Sequence, residues 1–128
     1  MSKLQILIVE DDQMIRQSLL ETLEMEGYMV ITANNGRDAF DKLEQGYLPS
    51  WILLDLKMPV MSGQEFLDVI KNNLKWKNIP VTLLSASGKI KDEAKIHNVD
   101  FIEKPIDLDV LLATAKFHCE VKMPKSTL

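Results

Sequence analysis

Residues Trp51–Gly63 read WILLDLKMPVMSG, and this stretch decides the fold. Trp51, Ile52, Leu53 and Leu54 form an apolar run too short for an ordinary helix, and Asp55 ends it ahead of a segment broken by Pro59 and Gly63. A short apolar run bounded by turn residues is the pattern of a strand buried on both faces. Asp55 then stands at the carboxyl end of a central parallel strand, where open α/β sheets place their ligand sites. A lone Asp in that place more often starts a loop or caps a helix. The rest of the chain decides whether it is alone.

Upstream, Leu4–Val9 (LQILIV) has strand composition and stops at the acids Glu10, Asp11 and Asp12. Ile15, Leu19, Leu20 and Leu23 then recur at helical spacing, and Gly27 closes that helix. Tyr28–Ala33 predicts a second strand, Asn34-Asn35-Gly36 a turn, and Arg37–Glu44 a short helix. Downstream, a helix is predicted over Gln64–Lys75 with Phe66, Leu67, Ile70 and Leu74 on one side. Pro80–Leu84 predicts a fourth strand ending in Ser85, and Lys91–His97 a short, weakly apolar helix. Val99–Glu103 predicts a fifth strand, followed by Lys104, Pro105 and a last helix over Leu108–Val121. One domain spanning 1–121 is expected, with 122–128 as a flexible C-terminal tail lacking periodicity.

Five strands alternating with five helical stretches imply right-handed βαβ units and a parallel sheet covered on both sides. The expected class is α/β, a flavodoxin-like (βα)5 doubly wound sheet of strand order 2-1-3-4-5. That order makes neighbours of Glu10, Asp11 and Asp12 after strand one, Asp55 after strand three, Ser85 after strand four and Lys104 after strand five.

Composition narrows the function classes. A chain of 128 residues suits one domain, and its net charge of -4 leaves no basic footprint for nucleic acid. Cys119 is the only cysteine, which suits a reducing compartment. No apolar run has the length of a membrane span, and Ile6–Val9 is too short for a signal-peptide core. A cytoplasmic protein with no nucleic-acid or membrane partner is expected.

Carboxylates gathered at one rim repel, by about 4 kcal/mol for a pair ~4 Å apart at an effective dielectric of about 20. Something positive must sit among them. Mg²⁺ with oxygen ligands answers this, and Asp11 and Asp55 are the natural direct ligands. Lys104 supplies a mobile positive charge for a phosphate oxygen, and Ser85 a hydroxyl for another. Carboxylate nucleophile, metal, ammonium and hydroxyl together make an aspartyl-phosphate site. Taken singly, Asp12 and its neighbours would be helix-start acids, Lys104 a solvated loop lysine and Ser85 a turn former. Their convergence on one rim favours chemistry.

Four fragments carry a family likeness: ILIVEDD at Ile6–Asp12, LLDLKMPVMSG at Leu53–Gly63, LLSAS at Leu83–Ser87 and FIEKP at Phe101–Pro105. Across nearly its whole length the chain resembles the receiver domain of two-component response regulators, at the size of a single-domain member. The resemblance implies that Asp55 accepts a phosphoryl group from the phosphohistidine of a sensor histidine kinase or phosphotransfer protein. It places Asp11 and Asp55 on Mg²⁺, Glu10 there through water, and the Lys57 carbonyl as a backbone ligand. It makes Ser85 the switch hydroxyl, Phe101 the switch aromatic and Lys104 the site lysine, with a cis Lys104-Pro105 bond. It implies a switch protein whose only chemistry is its own phosphorylation and dephosphorylation, acting on a downstream effector protein. The alternative is a receiver-like partner-binding scaffold that phosphorylation does not regulate.

The chain departs from the family pattern between Ser85 and Lys104, which is a few residues short, so a curtailed fourth helix is expected. Asn98 stands near the usual place of a Gly. On the last helix Leu108, Leu111, Leu112, Ala115 and Cys119 form a core stripe, with Cys119 a small buried hydrophobe. Val110, Thr114, Phe117 and Val121 form a second stripe, either covered by tail residues or a docking or homodimer face. His97 and His118 lack ligand spacing to each other. Competing chemistries lack their residues: a haloacid-dehalogenase-like phosphatase wants an acid where Lys57 stands, and the acids after strand one would repel a flavin phosphate. A dinucleotide binder would need GxGxxG there.

Overall fold

The computed structural model describes residues 5–86 and 88–119. Its elements run β1 (Gln5–Val9), α1 (Gln13–Met25), β2 (Met29–Ala33), α2 (Gly36–Glu44) and β3 (Trp51–Asp55). They continue α3 (Gly63–Lys71), β4 (Val81–Ser85), α4 (Ile90–His97), β5 (Asp100–Glu103) and α5 (Leu108–Cys119). The strands form one parallel sheet in the order β2-β1-β3-β4-β5. This is the flavodoxin-like arrangement expected. Every residue of β3 and β4 is buried, whereas the edge strands β2 and β5 are partly open. An uninterrupted apolar run is what a strand covered on two faces requires.

Side chains alternate across the sheet and so divide the interior into two cores. On one face Leu7, Val9, Ile52, Leu54 and Leu83 pack with apolar residues of α2, α3 and α4. On the other, Ile6, Ile8, Trp51, Leu53 and Leu84 pack with α1 and α5. Helices α1, α2 and α3 start where side chains satisfy their first N–H groups. Asp12 accepts from the Ile15 N–H at 3.0 Å, Asn35 from that of Asp38 at 2.9 Å, and Ser62 and Glu65 form a reciprocal capping box. Gly27, at φ 95, ends α1 as expected.

The structure corrects two helix readings. The third helix stops at Lys71 rather than Lys75, because Asn72 and Asn73 turn their side chains onto the backbone. The Asn72 amide donates to the Asp68 carbonyl at 2.8 Å, and Asn73 Oδ1 accepts from the Lys75 N–H at 2.8 Å. Leu74 is therefore 82% exposed, and Trp76 is buried in its stead, edge-on to Phe40. On α5, Leu111, Ala115 and Cys119 are buried and Leu112 half-buried, but Leu108 is about half exposed. Leu108 begins its helix and lines a surface groove with Met14, Pro105 and Ile106 rather than reaching the sheet.

Other expectations stand. α4 has only 8 residues, and Asn98 holds the left-handed position, φ 56, in which glycine is common and asparagine tolerated. His118 is tied into the fold. Its Nε2 lies 2.9 Å from Asp100 Oδ2, Thr82 Oγ1 donates to Asp100 Oδ1 at 2.7 Å, and the buried Trp51 indole N–H donates to Thr82 at 2.8 Å. Val110 and Phe117 are exposed, while Val121 and the 122–128 tail lie outside the described residues. Among the described residues, no helix is long and apolar enough to cross a membrane.

Candidate functional site

β1 hands its chain to the rim at Glu10, which is fully buried and whose N–H donates to the Ala33 carbonyl at 3.1 Å. Its Oε2 accepts from the Asp12 N–H at 3.2 Å. Asp12 is spent on capping α1, and Asp11 is left exposed at the mouth. Asp55 closes β3, in register with Leu84, and is buried. The loop beyond it folds back so tightly that a Cβ at Gly63 would overlap the Asp55 carbonyl oxygen and lie 2.7 Å from Leu56 Cα. Only glycine fits there.

The opposite wall comes from β4 and the β5–α5 turn. Ser85 is buried at the end of β4, and its carbonyl accepts from the Lys104 N–H at 3.0 Å. The Lys104-Pro105 peptide bond is cis, as the family resemblance implied. Lys104 Nζ sits 2.9 Å from Glu10 Oε1 and 3.4 Å from Asp55 Oδ1. Glu10, Asp11, Asp55, Lys57, Ser85 and Lys104 thus line one cleft of about 450 Å³. All the residues expected at the rim meet there. Phe101 does not: it is half-buried against the core on the α2–α3–α4 face, in register with Leu83.

Burial pushes the Asp55 carboxyl up to about 7, and the negative charge of Glu10 adds to this while Lys104 opposes it. For Lys104, burial works against the ammonium, but its hydrogen bond to Glu10 and the charge of Asp55 outweigh that and hold its pKa above the usual range. Two carboxylates thus share one cation, and Asp55 bears the deficit.

A linkage prediction follows from the sign. With the folded-state pKa of Asp55 above its unfolded value, the native state holds the proton longer, so stability falls as pH rises from about 4 through about 7. A rise from 3.8 to about 7 corresponds to at most about 4 kcal/mol, and water reaching the cleft reduces it. Asp55→Asn is expected to stabilise the metal-free protein at pH 8 by about 1–2 kcal/mol and to change little at pH 4. Equal thermal midpoints for the two proteins at pH 8 would refute the strained acid.

The donor set can be tested against a divalent cation. One carboxylate oxygen each from Glu10, Asp11 and Asp55 lie within 4.8 Å of one another. Glu10 Oε1 is buried and, apart from the ammonium at 2.9 Å, lacks a well-directed hydrogen bond. Hard anionic oxygens with one exposed member, open to water, fit Mg²⁺, which keeps several waters and few protein ligands.

Reading the residues alone missed three contributors: Ile15 and Ala86, which line the cleft, and Arg16, whose Nη1 donates to the Glu10 carbonyl at 2.9 Å and the Asp11 carbonyl at 3.3 Å. The available signal was an arginine one helical turn past the acids. Lys104 was expected to face a phosphate oxygen; its nearer partner is Glu10.

A family model described as the response regulator receiver domain matches residues 6–116. Protein PilG of Pseudomonas aeruginosa is 32% identical over 118 residues, covering 90% of this chain and 87% of that protein. A transcriptional regulatory protein, the CpxR homolog of Haemophilus influenzae, is 39% identical over 119 residues, and there the matched part covers 91% of this chain but 49% of the relative. The chain thus spans nearly the whole of one curated relative and about half of another. Among solved structures, the chemotaxis protein CheY4 of Vibrio cholerae is 32% identical with a TM-score of 0.82, covering 91% of this chain and 99% of that one.

Proposed function

The chain belongs to the response regulator receiver domain family, and on that premise we propose that Asp55 is its phosphoacceptor, charged by the phosphohistidine of a histidine kinase or phosphotransfer protein. The observation that carries this reading is the buried Asp55 carboxyl facing two further carboxylates, with the Lys104 ammonium beside it. In the transfer, an Asp55 Oδ bonds to phosphorus as the P–N bond breaks, and the imidazole leaves with the electron pair. Lys104 balances the anionic oxygens that arrive, and the Ser85 hydroxyl donates to one of them. Glu10, Asp11, Asp55 and the Lys57 carbonyl would hold a divalent cation, which when bound supplies charge neutralisation.

The switch is a population shift: Ser85 moves toward the phosphoryl group, its loop follows, and Phe101 takes the vacated space. The exposed Val110 and Phe117 on α5 extend the affected surface toward an effector protein or a second copy. A homodimer through α5 requires that mass in solution rise with concentration or with a phosphoryl mimic. No turnover of phosphomonoesters is expected, and a cytoplasmic location fits a kinase-fed acceptor. The unregulated-scaffold alternative finds no support, since none of the residues expected at the rim is missing from the cleft.

Incubation with Mg²⁺ and acetyl phosphate tests the acceptor directly. Intact mass is expected to gain one labile phosphoryl group, peptide mapping to place it on Asp55, and Asp55→Asn to gain none. Labelling elsewhere, or no labelling with excess donor, would overturn the reading. Asp11→Asn is expected to lose most of the rise in thermal midpoint that Mg²⁺ confers on the native protein. An unchanged rise removes Asp11 from the cation site.

A further inference from the structure

We propose that Arg16 is a positioning residue of the acidic cluster, aiming the Glu10 and Asp11 carboxylates by clamping the carbonyls of those same two residues. The inference rests on the reading that the cluster holds a divalent cation. Pairing of β1 with both neighbouring strands ends at Val9, so the Glu10 and Asp11 carbonyls lie beyond its ladders. Arg16 Nη1 reaches both, at 2.9 and 3.3 Å, and its own N–H is fixed to the Asp12 carbonyl at 2.9 Å by the first turn of α1. Arg16 is half-buried, and its planar guanidinium holds its donors in a fixed fork. Each carbonyl belongs to a peptide plane whose rotation would swing the neighbouring Cα–Cβ bond. Holding two successive planes therefore fixes the Cα–Cβ directions from which the two carboxylates reach the site.

Arg16 is not simply a counter-charge. The cation paired with Glu10 and Asp55, among the described residues, is Lys104. Charge and clamping make opposite predictions for cation binding. If Arg16 acted by its charge, removing it would strengthen the affinity of the acids for Mg²⁺. If it acts by orientation, removing it weakens that affinity, since partners that orient metal ligands are worth about tenfold or more.

Calorimetric titration with magnesium chloride separates the two in the native protein, Arg16→Met and Arg16→Lys, each checked for folding by circular dichroism. Arg16→Met is expected to bind Mg²⁺ about tenfold more weakly, and Arg16→Lys, which keeps the charge and an N–H donor, to recover most of the loss. Binding by Arg16→Met as tight as the native protein, or tighter, overturns the clamp. Should Arg16→Met not fold, Arg16→Gln, which loses charge and reach, is expected to bind more weakly, and unweakened binding overturns the clamp equally. A native protein that takes up no Mg²⁺ overturns the cation reading itself, and the clamp falls with it.

Discussion

Gly63→Ala is expected to destabilise the protein by about 3 kcal/mol or more, lowering its thermal midpoint by about 10 °C, and to abolish phosphorylation at Asp55. The added methyl would collide with the Asp55 carbonyl oxygen and with Leu56 Cα, which are backbone atoms of the central strand and its exit. A flexible side chain could move aside; these atoms cannot without shifting β3. Gly63 also donates its N–H to the Leu56 carbonyl at 2.9 Å and opens α3, so the collision propagates into both. Gly88→Ala is the control, because a Cβ there meets nothing within 4 Å. Similar midpoints for the two variants, read by thermal denaturation, would refute the close approach.

Lys104→Ala is expected to cost about 3 kcal/mol at neutral pH and to separate phosphorylation from the conformational change. Removing one partner of a buried ion pair costs about 3–5 kcal/mol because the other charge is stranded. The Glu10 side chain is 1% exposed, and it would be the stranded one; the 17% exposure of Lys104 places the cost at the lower end. The pKa of the Asp55 carboxyl, relieved of its opposing positive charge, rises further, so acidification recovers part of the loss. Saturating Mg²⁺ replaces some of the missing charge, and the variant can still be labelled by acetyl phosphate. On the proposed reading, what it lacks is the ammonium that would join the phosphoryl group to the β5–α5 turn. Resonances of Phe101 and Ser85 are then expected to stay at their unphosphorylated positions in the labelled variant. A normal shift would remove Lys104 from the switch.

Most of the frame was legible before folding. β3 and β4 are short apolar runs with acid or serine at the end, and their burial on both faces follows from that pattern alone. The rim residues Glu10, Asp11, Asp55, Ser85 and Lys104 were identifiable because each ends a strand or lies within two residues of its end, and parallel strands end on the same side. The failures occurred where side chains bond to nearby backbone. Apolar periodicity carried the third helix through Leu74, but Asn72 and Asn73 compete for the helix's own donors and acceptors and end it sooner. Leu108 fitted the α5 stripe by spacing, yet spacing does not say how far a helix's first turn stands from the sheet.

The order of residue types by itself determined the alternation of strand and helix, the doubly wound sheet, and which end of it carries the acids, because these depend on short-range periodicity and on the handedness of βαβ connections. Only the tertiary structure decided how the charges divide: that Lys104 sits nearer Glu10 than Asp55, that Asp55 is left holding its proton toward neutral pH, and that Arg16 grips the carbonyls beneath the acids. Those are differences of a fraction of an ångström to a few ångströms between groups up to 94 positions apart in the chain, such as Glu10 and Lys104. Electrostatic energy at such range depends on separation and burial, which no local pattern of residues encodes.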